Sequence, residues 1–312
     1  MKPTGWRQWG WKKTKKPSLT SNPIQHTVSN WWGKISRNLS GISDTPSLDA
    51  QVLLAHILNK PRSWVLAHPE ANLDNQQEQQ VGEALDRLLA GEPLPYVLGH
   101  WEFFGLDYQV NHDTLIPRPE TELIVEQALQ WLNQHPVARN AIDVGTGSGC
   151  IAISLAAHLP DLRCVATDLS PAALRVAQDN AERHGVTGRI KFIQADLFQA
   201  FDPQGSSFAE MNFDLIVANL PYVPTDTLRE SVVFVCEPGL ALDGGPDGMD
   251  LIRRLLTQAP TYLAHDGLLL FEIEYRQATQ AQLLARAAFP QAQVVLFQDL
   301  AGHDRVIGVQ SS

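Results

Sequence analysis

The chain has 312 residues, room for one large domain and a small one, with the 44% apolar and 19% charged composition of an ordinary globular protein. No apolar run reaches the ~18 residues that would suggest a membrane span, and three cysteines (Cys150, Cys164, Cys236) without CxxC spacing point to a reducing compartment, with no disulfide framework and no structural metal. The net charge of −10 is uneven: residues 1–40 hold eight Lys/Arg and no acid, so the remainder carries −18 and repels nucleic-acid phosphates at long range.

Residues 1 to about 40 are basic and hold five of the eight tryptophans (Trp6, Trp9, Trp11, Trp31, Trp32). No apolar stretch follows the charges, so no secretory signal is expected. The segment reads as a disordered extension, or as translation from a start codon assigned too far upstream. Interleaved Trp and Lys leave nucleic-acid or membrane-surface contact open, as the lack of acids does an organelle transit peptide.

From Ser47 to Gly91 the apolar residues recur every three or four positions, the period of amphipathic helices. Leu48, Val52 and Ala55 mark a first helix, with Ser47 or Asp49 as its cap, and Ser63 to Ala67 a short second one. Asp74 caps a third that carries Val81, Leu85 and Leu88 and stops at Gly91. Such a bundle, spanning about 41–92, is too small for a catalytic core and suits the gripping of a partner.

Between Pro93 and Glu122 the period drops to two, and Trp101 to Val110 reads as a hairpin turning near Gly105. LIPRPETE follows at Leu115–Glu122. Its prolines push the residues before them out of the helical region, so the segment is a stiff linker that can turn Arg118 and Glu120 towards a cleft. A helix then runs from Thr121-Glu122 to His135. The ten histidines show no HExxH spacing, so none is assigned to a metal.

Ala141–Val144 is a strand, and Gly145-Thr146-Gly147-Ser148-Gly149 leads from it into a helix at Ile151. Glycines there let a ligand approach the backbone at a helix N-terminus, although GxGxG is not the GxGxxG dinucleotide fingerprint. Arg163–Thr167 is a second strand ending at Asp168, whose carboxylate can accept both hydroxyls of a ribose, as such an acid also does in nicotinamide-binding folds. Ser170 and Pro171 open the next helix and Gly185 ends it. Ile190–Gln194 is a third strand, followed by Ala195-Asp196-Leu197.

Phe213–Pro224, FDLIVANLPYVP, is the stretch around which the second domain is organised. Leu215, Ile216 and Val217 form an unbroken apolar run, as in a strand buried on both faces of a parallel sheet. Asn219-Leu220-Pro221-Tyr222 ends it, because Pro221 lacks the N–H a central ladder needs. An amide, a free carbonyl and an aromatic ring thus gather beyond a strand's carboxyl end, where open α/β sheets bind ligands. Gly267–Ile273, then an antiparallel pair Gln293–Phe297 and Arg305–Val309, complete a doubly wound, mostly parallel α/β sheet.

Asn-Leu-Pro-Tyr resembles the Asn-Pro-Pro-Tyr motif of S-adenosylmethionine (AdoMet) methyltransferases that act on a planar –NH2 nitrogen. With IPRPETE, DVGTGSG, Asp168, Asp196 and EPGLALDGGPDGMD, the order is similar to that of the peptide chain release factor glutamine N5-methyltransferase family over residues 45–310. The resemblance implies a seven-stranded AdoMet-methyltransferase sheet behind the small helical domain, AdoMet as methyl donor and no metal. The implied substrate is the glutamine of a Gly-Gly-Gln loop in a release factor, gripped between the two domains. Gly145–Gly149, Asp168, Asp196, Leu197 and Asn219 would bind the cofactor, with Asp196 on the adenine amino group and Leu197 over the ring. Asn219, Leu220, Pro221 and Tyr222 would hold the glutamine amide and carry catalysis, with Arg118 and Glu120 at the substrate. A cytoplasmic monomer that binds neither membrane nor nucleic acid stably is expected.

The chain departs from the pattern at Leu220, where proline is usual, and at Glu274, where glycine is. The first could loosen the amide clamp and the second alter packing near the cofactor. IPRPETE separates this family from its sister that methylates a ribosomal-protein glutamine, whose segment begins IPR but lacks PETE. That sister activity, adenine-N6 methylation of DNA or RNA, and AdoMet binding without turnover are the alternatives.

Overall fold

The computed structural model describes residues 26–201, 212–230 and 236–311. They form two compact units that divide after Gly99. The first holds α1 (Val28–Leu39), α2 (Pro46–Leu58), α3 (Arg62–Ala67), α4 (Asn75–Leu89) and α5 (Leu94–Leu98).

The reading of residues 1–40 as a disordered extension is corrected by α1 over Val28–Leu39, while residues 1–25 lie outside the described residues. Val28, Trp31, Ile35 and Leu39 recur on one face of that helix and all four are buried. The Trp31 indole N–H donates to Glu78 Oε1 at 2.9 Å, so this tryptophan is part of the core and not an exposed contact. Lys34 stands over the outer side of the same ring, 4.0 Å from its centre. The Lys/Trp composition hid an ordinary apolar stripe. Trp6, Trp9 and Trp11 lie outside the described residues.

α2 begins one residue before the Ser47 expected as a cap, with Pro46 in the first turn. Asp49 is instead buried, taking hydroxyl bonds from Ser43 and Thr45. α4 starts as expected: Asp74 and Gln77 form a reciprocal capping box.

The second unit opens with β1 (His100–Phe103) and β2 (Leu106–Gln109), an antiparallel hairpin turning through Phe104 and Gly105, both at positive φ. Extended residues, Arg118 among them, lead through a single turn into α6 (Glu122–Gln134). Then come β3 (Asn140–Val144), α7 (Cys150–His158), β4 (Arg163–Asp168), α8 (Pro171–Arg183), β5 (Ile190–Gln194) and β6 (Phe213–Ala218). α9 (Thr225–Glu230), α10 (Asp250–Tyr262), β7 (Leu263–Glu272), α11 (Ala278–Ala288), β8 (Gln293–Gln298) and β9 (Asp304–Gln310) complete the unit.

The seven-stranded sheet runs β5-β4-β3-β6-β7-β9-β8, with β9 running antiparallel to the other six. The unbroken apolar run of β6 follows from its place. Leu215 and Val217 enter one hydrophobic cluster while Ile216 and Ala218 enter the other, and all four are fully buried. Each large side chain so covered contributes roughly 1.5–3 kcal/mol. The chain winds outward from β3 to β5, then returns to β6 on the other side of β3. The connections leaving the carboxyl ends of β3 and β6 therefore run to opposite sides at the switch point of the sheet, where a crevice opens.

Candidate functional site

A cavity of about 830 Å³ lies at that crevice, within the range for small-molecule sites and large enough for a nucleoside-sized ligand. Its walls include Gly145–Ser148, Asp168, Asp196 and Leu197 on one side. Arg118, Thr121 and Asn219–Pro221 lie on the other. Gly149 is behind the wall, where a Cβ would meet Ile153 at 2.7 Å.

The loop after β3 is not a phosphate cradle. Gly145 and Thr146 both donate their N–H to the Thr167 carbonyl, Gly147 donates to Asp168 Oδ2 and Gly149 to Thr146. Four of the five loop N–H groups are thus already used. What the loop offers is thinness. Gly145 has φ 77°, and a Cβ there would stand 2.9 Å from Leu220 Cδ2. The turn is held from below by Asp143, fully buried, which accepts from the Thr146 hydroxyl at 2.6 Å and from the Ala152 N–H. Burial pushes the Asp143 carboxyl up to about 6, against the lowering effect of those bonds.

Asp168 is fixed by the N–H groups of Gly147 at 2.9 Å and Ser170 at 2.8 Å, one on each oxygen. A carboxylate has further lone pairs, so both oxygens can still accept from a diol. Asp196 gives one oxygen to Arg254 at 2.8 Å, which leaves the other as an acceptor. Leu197 takes the left-handed conformation at φ 53° and its side chain lines the cavity. For a branched residue that backbone is costly and persists only where the surroundings hold it. Two carboxylates beside a thin glycine loop, with an apolar cover, form an acceptor set that fits the hydroxyls and amino group of the AdoMet nucleoside. Among the described residues no group of three His, Cys, Asp or Glu is arranged to hold a metal ion.

On the opposite side, Asn219 follows the last residue of β6. Its Nδ2 donates to Thr121 Oγ1 at 2.9 Å, that hydroxyl donates to Glu272 Oε2 at 2.7 Å, and the Tyr222 hydroxyl donates to Glu272 Oε1 at 2.9 Å. Glu272, at the end of β7, is 1% exposed. Burial raises its pKa, while the Thr121 and Tyr222 bonds act the other way. Sequence reasoning missed both Thr121, seen only as a helix start, and Glu272, seen only as a strand residue. A charged side chain inside the apolar run LLLFEI was the available signal.

Tyr222 is not among the lining residues. Burial pushes its phenol well above the usual range and its hydroxyl is spent on Glu272. Glu120 is half-buried and also off the wall. Arg118 does reach the cavity, paired with Glu237, whose carboxylate also accepts from the Ile116 N–H. The glycine-rich EPGLALDGGPDGMD segment packs behind the Asn-Leu-Pro-Tyr turn. Gly244 bonds to the Val223 carbonyl, and a Cβ on it would stand 2.7 Å from the Pro221 oxygen. Glu274, the other departure from the family pattern, is buried away from the cavity. It caps the turn before α11 with Gln277 and pairs with Arg276.

Comparison with known proteins bears on both units. Residues 30–99 match the model of the PrmC N-terminal domain, and residues 141–239 match a methyltransferase domain. The release factor glutamine methyltransferase of Moorella thermoacetica is 41% identical over 273 residues, 87% of this chain and 93% of its own. That of Coxiella burnetii is 37% identical, over 88% of this chain and 95% of its own. A bifunctional methyltransferase of Rickettsia bellii is 32% identical, over 92% of this chain and 55% of the relative. Among solved structures, the hMettl16 catalytic domain in complex with MAT2A 3'UTR hairpin 6 superposes with a TM-score of 0.51. It is 15% identical, over 77% of this chain and 83% of that one, which speaks for the fold alone.

Proposed function

The chain belongs to the release factor glutamine methyltransferase family, and from that premise we propose how its cavity methylates the side-chain amide of a release-factor glutamine. The observation that carries this reading is the pair of acceptors at the end of β6. Among the described residues neither Asn219 Oδ1 nor the Leu220 carbonyl is taken by a protein donor, whereas Asn219 Nδ2 is committed to Thr121.

An amide nitrogen is a weak nucleophile because its lone pair is delocalised into the carbonyl. Asn219 Oδ1 and the Leu220 carbonyl each accept one of its two N–H groups. Held this way, the nitrogen presents its π face to the methyl donor and is stabilised as positive charge develops on it. We assign Tyr222, anchored through its hydroxyl to Glu272, to brace the turn from behind. Pro221 fixes the turn that aims both acceptors. Arg118, which reaches the cavity, is assigned to the substrate main chain at the rim. No base need act first, since the nitrogen proton becomes acidic only after alkylation and can then leave to solvent.

AdoMet is the methyl donor; bound, it supplies an electrophilic sulfonium methyl and its own leaving group. Asp168 would hold the ribose hydroxyls, Asp196 the adenine amino group, and Leu197 the ring face, with Gly145–Gly149 giving close approach. The glutamine is that of the Gly-Gly-Gln loop. The acidic body, net −18 outside residues 1–40, supports a protein substrate over nucleic acid. We read the enzyme as a cytoplasmic monomer, a reading that a dimer in sedimentation would overturn.

The test supplies methyl-labelled AdoMet together with release factor, ribosomal protein and nucleic acid. Label is expected on the release factor. Label on either of the others, with none on the release factor, rejects the proposal.

A further inference from the structure

Asn219 can serve as an acceptor only if its side-chain amide faces one way round. Oxygen and nitrogen of that amide have nearly the same shape, so packing alone does not choose between them. A flipped Asn219 would aim an N–H at the substrate's N–H and repel the group it should hold. Something in the protein must therefore impose the polarity.

We propose that Glu272 and Thr121 are positioning residues that impose it. A glutamate carboxylate with its proton off can only accept. Both of its oxygens are occupied, one by the Tyr222 hydroxyl at 2.9 Å and one by the Thr121 hydroxyl at 2.7 Å. Since the single Thr121 hydrogen points to Glu272, the Thr121 oxygen has only lone pairs left for Asn219. It thus selects Nδ2, which lies 2.9 Å away, and Oδ1 is turned to the remaining side. The polarity is passed from a buried charge through one hydroxyl to the amide. The same carboxylate anchors Tyr222, so one group braces both ends of the Asn-Leu-Pro-Tyr turn.

The residues come from three separate places: Thr121 at the head of α6, Asn219 and Tyr222 beyond β6, and Glu272 at the end of the adjacent β7. Thr121 and Glu272 are each nearly inaccessible, at 2% and 1% exposed. In such surroundings an unmatched donor or acceptor is costly, so the arrangement of donors has little freedom. This assigns a task to the threonine of IPRPETE, which forms no side-chain cap for α6.

This inference rests on the amide-clamp reading, and its test keeps the two apart. Methyl transfer to release factor is followed in a single turnover at saturating AdoMet for wild type, Thr121→Val, Thr121→Ser, Asn219→Ala and the double variant Thr121→Val/Asn219→Ala. AdoMet affinity is measured alongside by calorimetry. By analogy with outer-shell partners that orient a reacting group, Thr121→Val should slow transfer about 10- to 100-fold with AdoMet affinity unchanged. Thr121→Ser, which keeps the hydroxyl, should restore most of the rate. In the Asn219→Ala background Thr121→Val should add almost nothing, because no amide remains to orient. A purely structural threonine would instead slow both backgrounds alike. If wild type is active and Thr121→Val transfers at its rate, or the two substitutions act independently, the positioning role is wrong while the clamp stands. If wild type leaves release factor unmethylated, both fall. Should Thr121→Val not fold, Thr121→Ala measured in the same two backgrounds decides by the same criterion.

Discussion

The two sides of the cavity are built by different means. The cofactor side is local: a strand, a five-residue glycine loop and two acids, one ending the next strand and one just past the strand after it. Its hydrogen bonds are mostly backbone N–H groups closing on nearby carbonyls and on Asp168. The acceptor side is assembled from residues about 50 to 150 positions apart, Thr121, Asn219, Tyr222 and Glu272, joined by side-chain bonds alone. A loop of the first kind tolerates many ligands that share a nucleoside. A side-chain network of the second kind holds one polarity of one amide, and is proposed to orient the methyl acceptor. Substitutions on the two sides should therefore separate transfer from cofactor affinity.

The largest effect is expected at Asn219. Asn219→Ala removes one of two acceptors, and by analogy with loss of an oxyanion-hole donor the transfer rate should fall about 100- to 1,000-fold. Stopped reactions at saturating AdoMet measure this, and calorimetry should find cofactor affinity nearly unchanged. A variant that transfers at the parent rate would break the division of labour.

Asp168→Ala should do the reverse. Leaving a diol without its acceptor costs about 1–3 kcal/mol of AdoMet affinity, with transfer at saturating cofactor lowered far less. Unchanged affinity in titration calorimetry would remove Asp168 from the site.

A smaller effect probes the support beneath the glycine loop. Burial raises the Asp143 carboxyl to about 6 in the folded protein, from an ordinary 3.8. With the folded value above the unfolded one, its protonated form favours folding. That contribution is complete below about pH 4 and lost as the pH rises through about 6. Asp143→Asn cannot titrate, so its stability relative to wild type should rise with pH by on the order of 1 kcal/mol between pH 5 and pH 7, then level off. Urea unfolding of both proteins across that range checks it, and a constant difference would contradict the assigned burial.

The smallest effect is expected at Leu220, which touches both sides by covering Gly145 while offering its carbonyl to the acceptor. Leu220→Pro restores the residue usual in the family and keeps that carbonyl. The transfer rate should change by less than about tenfold, since ~1 kcal/mol is the common scale of a single substitution. A loss as large as that of Asn219→Ala would mean the side chain, not the carbonyl, matters.

The same contrast explains what could be read from the sequence. The sheet was legible because a buried parallel strand such as β6 writes itself as an unbroken apolar run, and Gly145–Gly149, Asp168 and Asp196 follow strand ends at fixed short distances. Helix α1 was obscured because Lys34, Arg37 and two tryptophans dominate its composition, although Val28, Trp31, Ile35 and Leu39 keep the helical period. The Glu272–Thr121–Asn219 chain could not be read, since it depends on β7 lying next to β6 and on α6 starting beside both. Glu120 and Tyr222 were placed towards the cleft by motif alone, while the structure puts other members of the same motifs, Thr121 and Pro221, on the wall.

The central claim is that these two sides act on a single amide nitrogen. Tandem mass spectrometry of release factor after a single turnover with methyl-labelled AdoMet tests it at the level of the atom. The account predicts one methyl group on the side-chain nitrogen of the Gly-Gly-Gln glutamine, present with wild type and nearly absent with Asn219→Ala. Label on another residue, or on that glutamine at equal yield with both proteins, would contradict it.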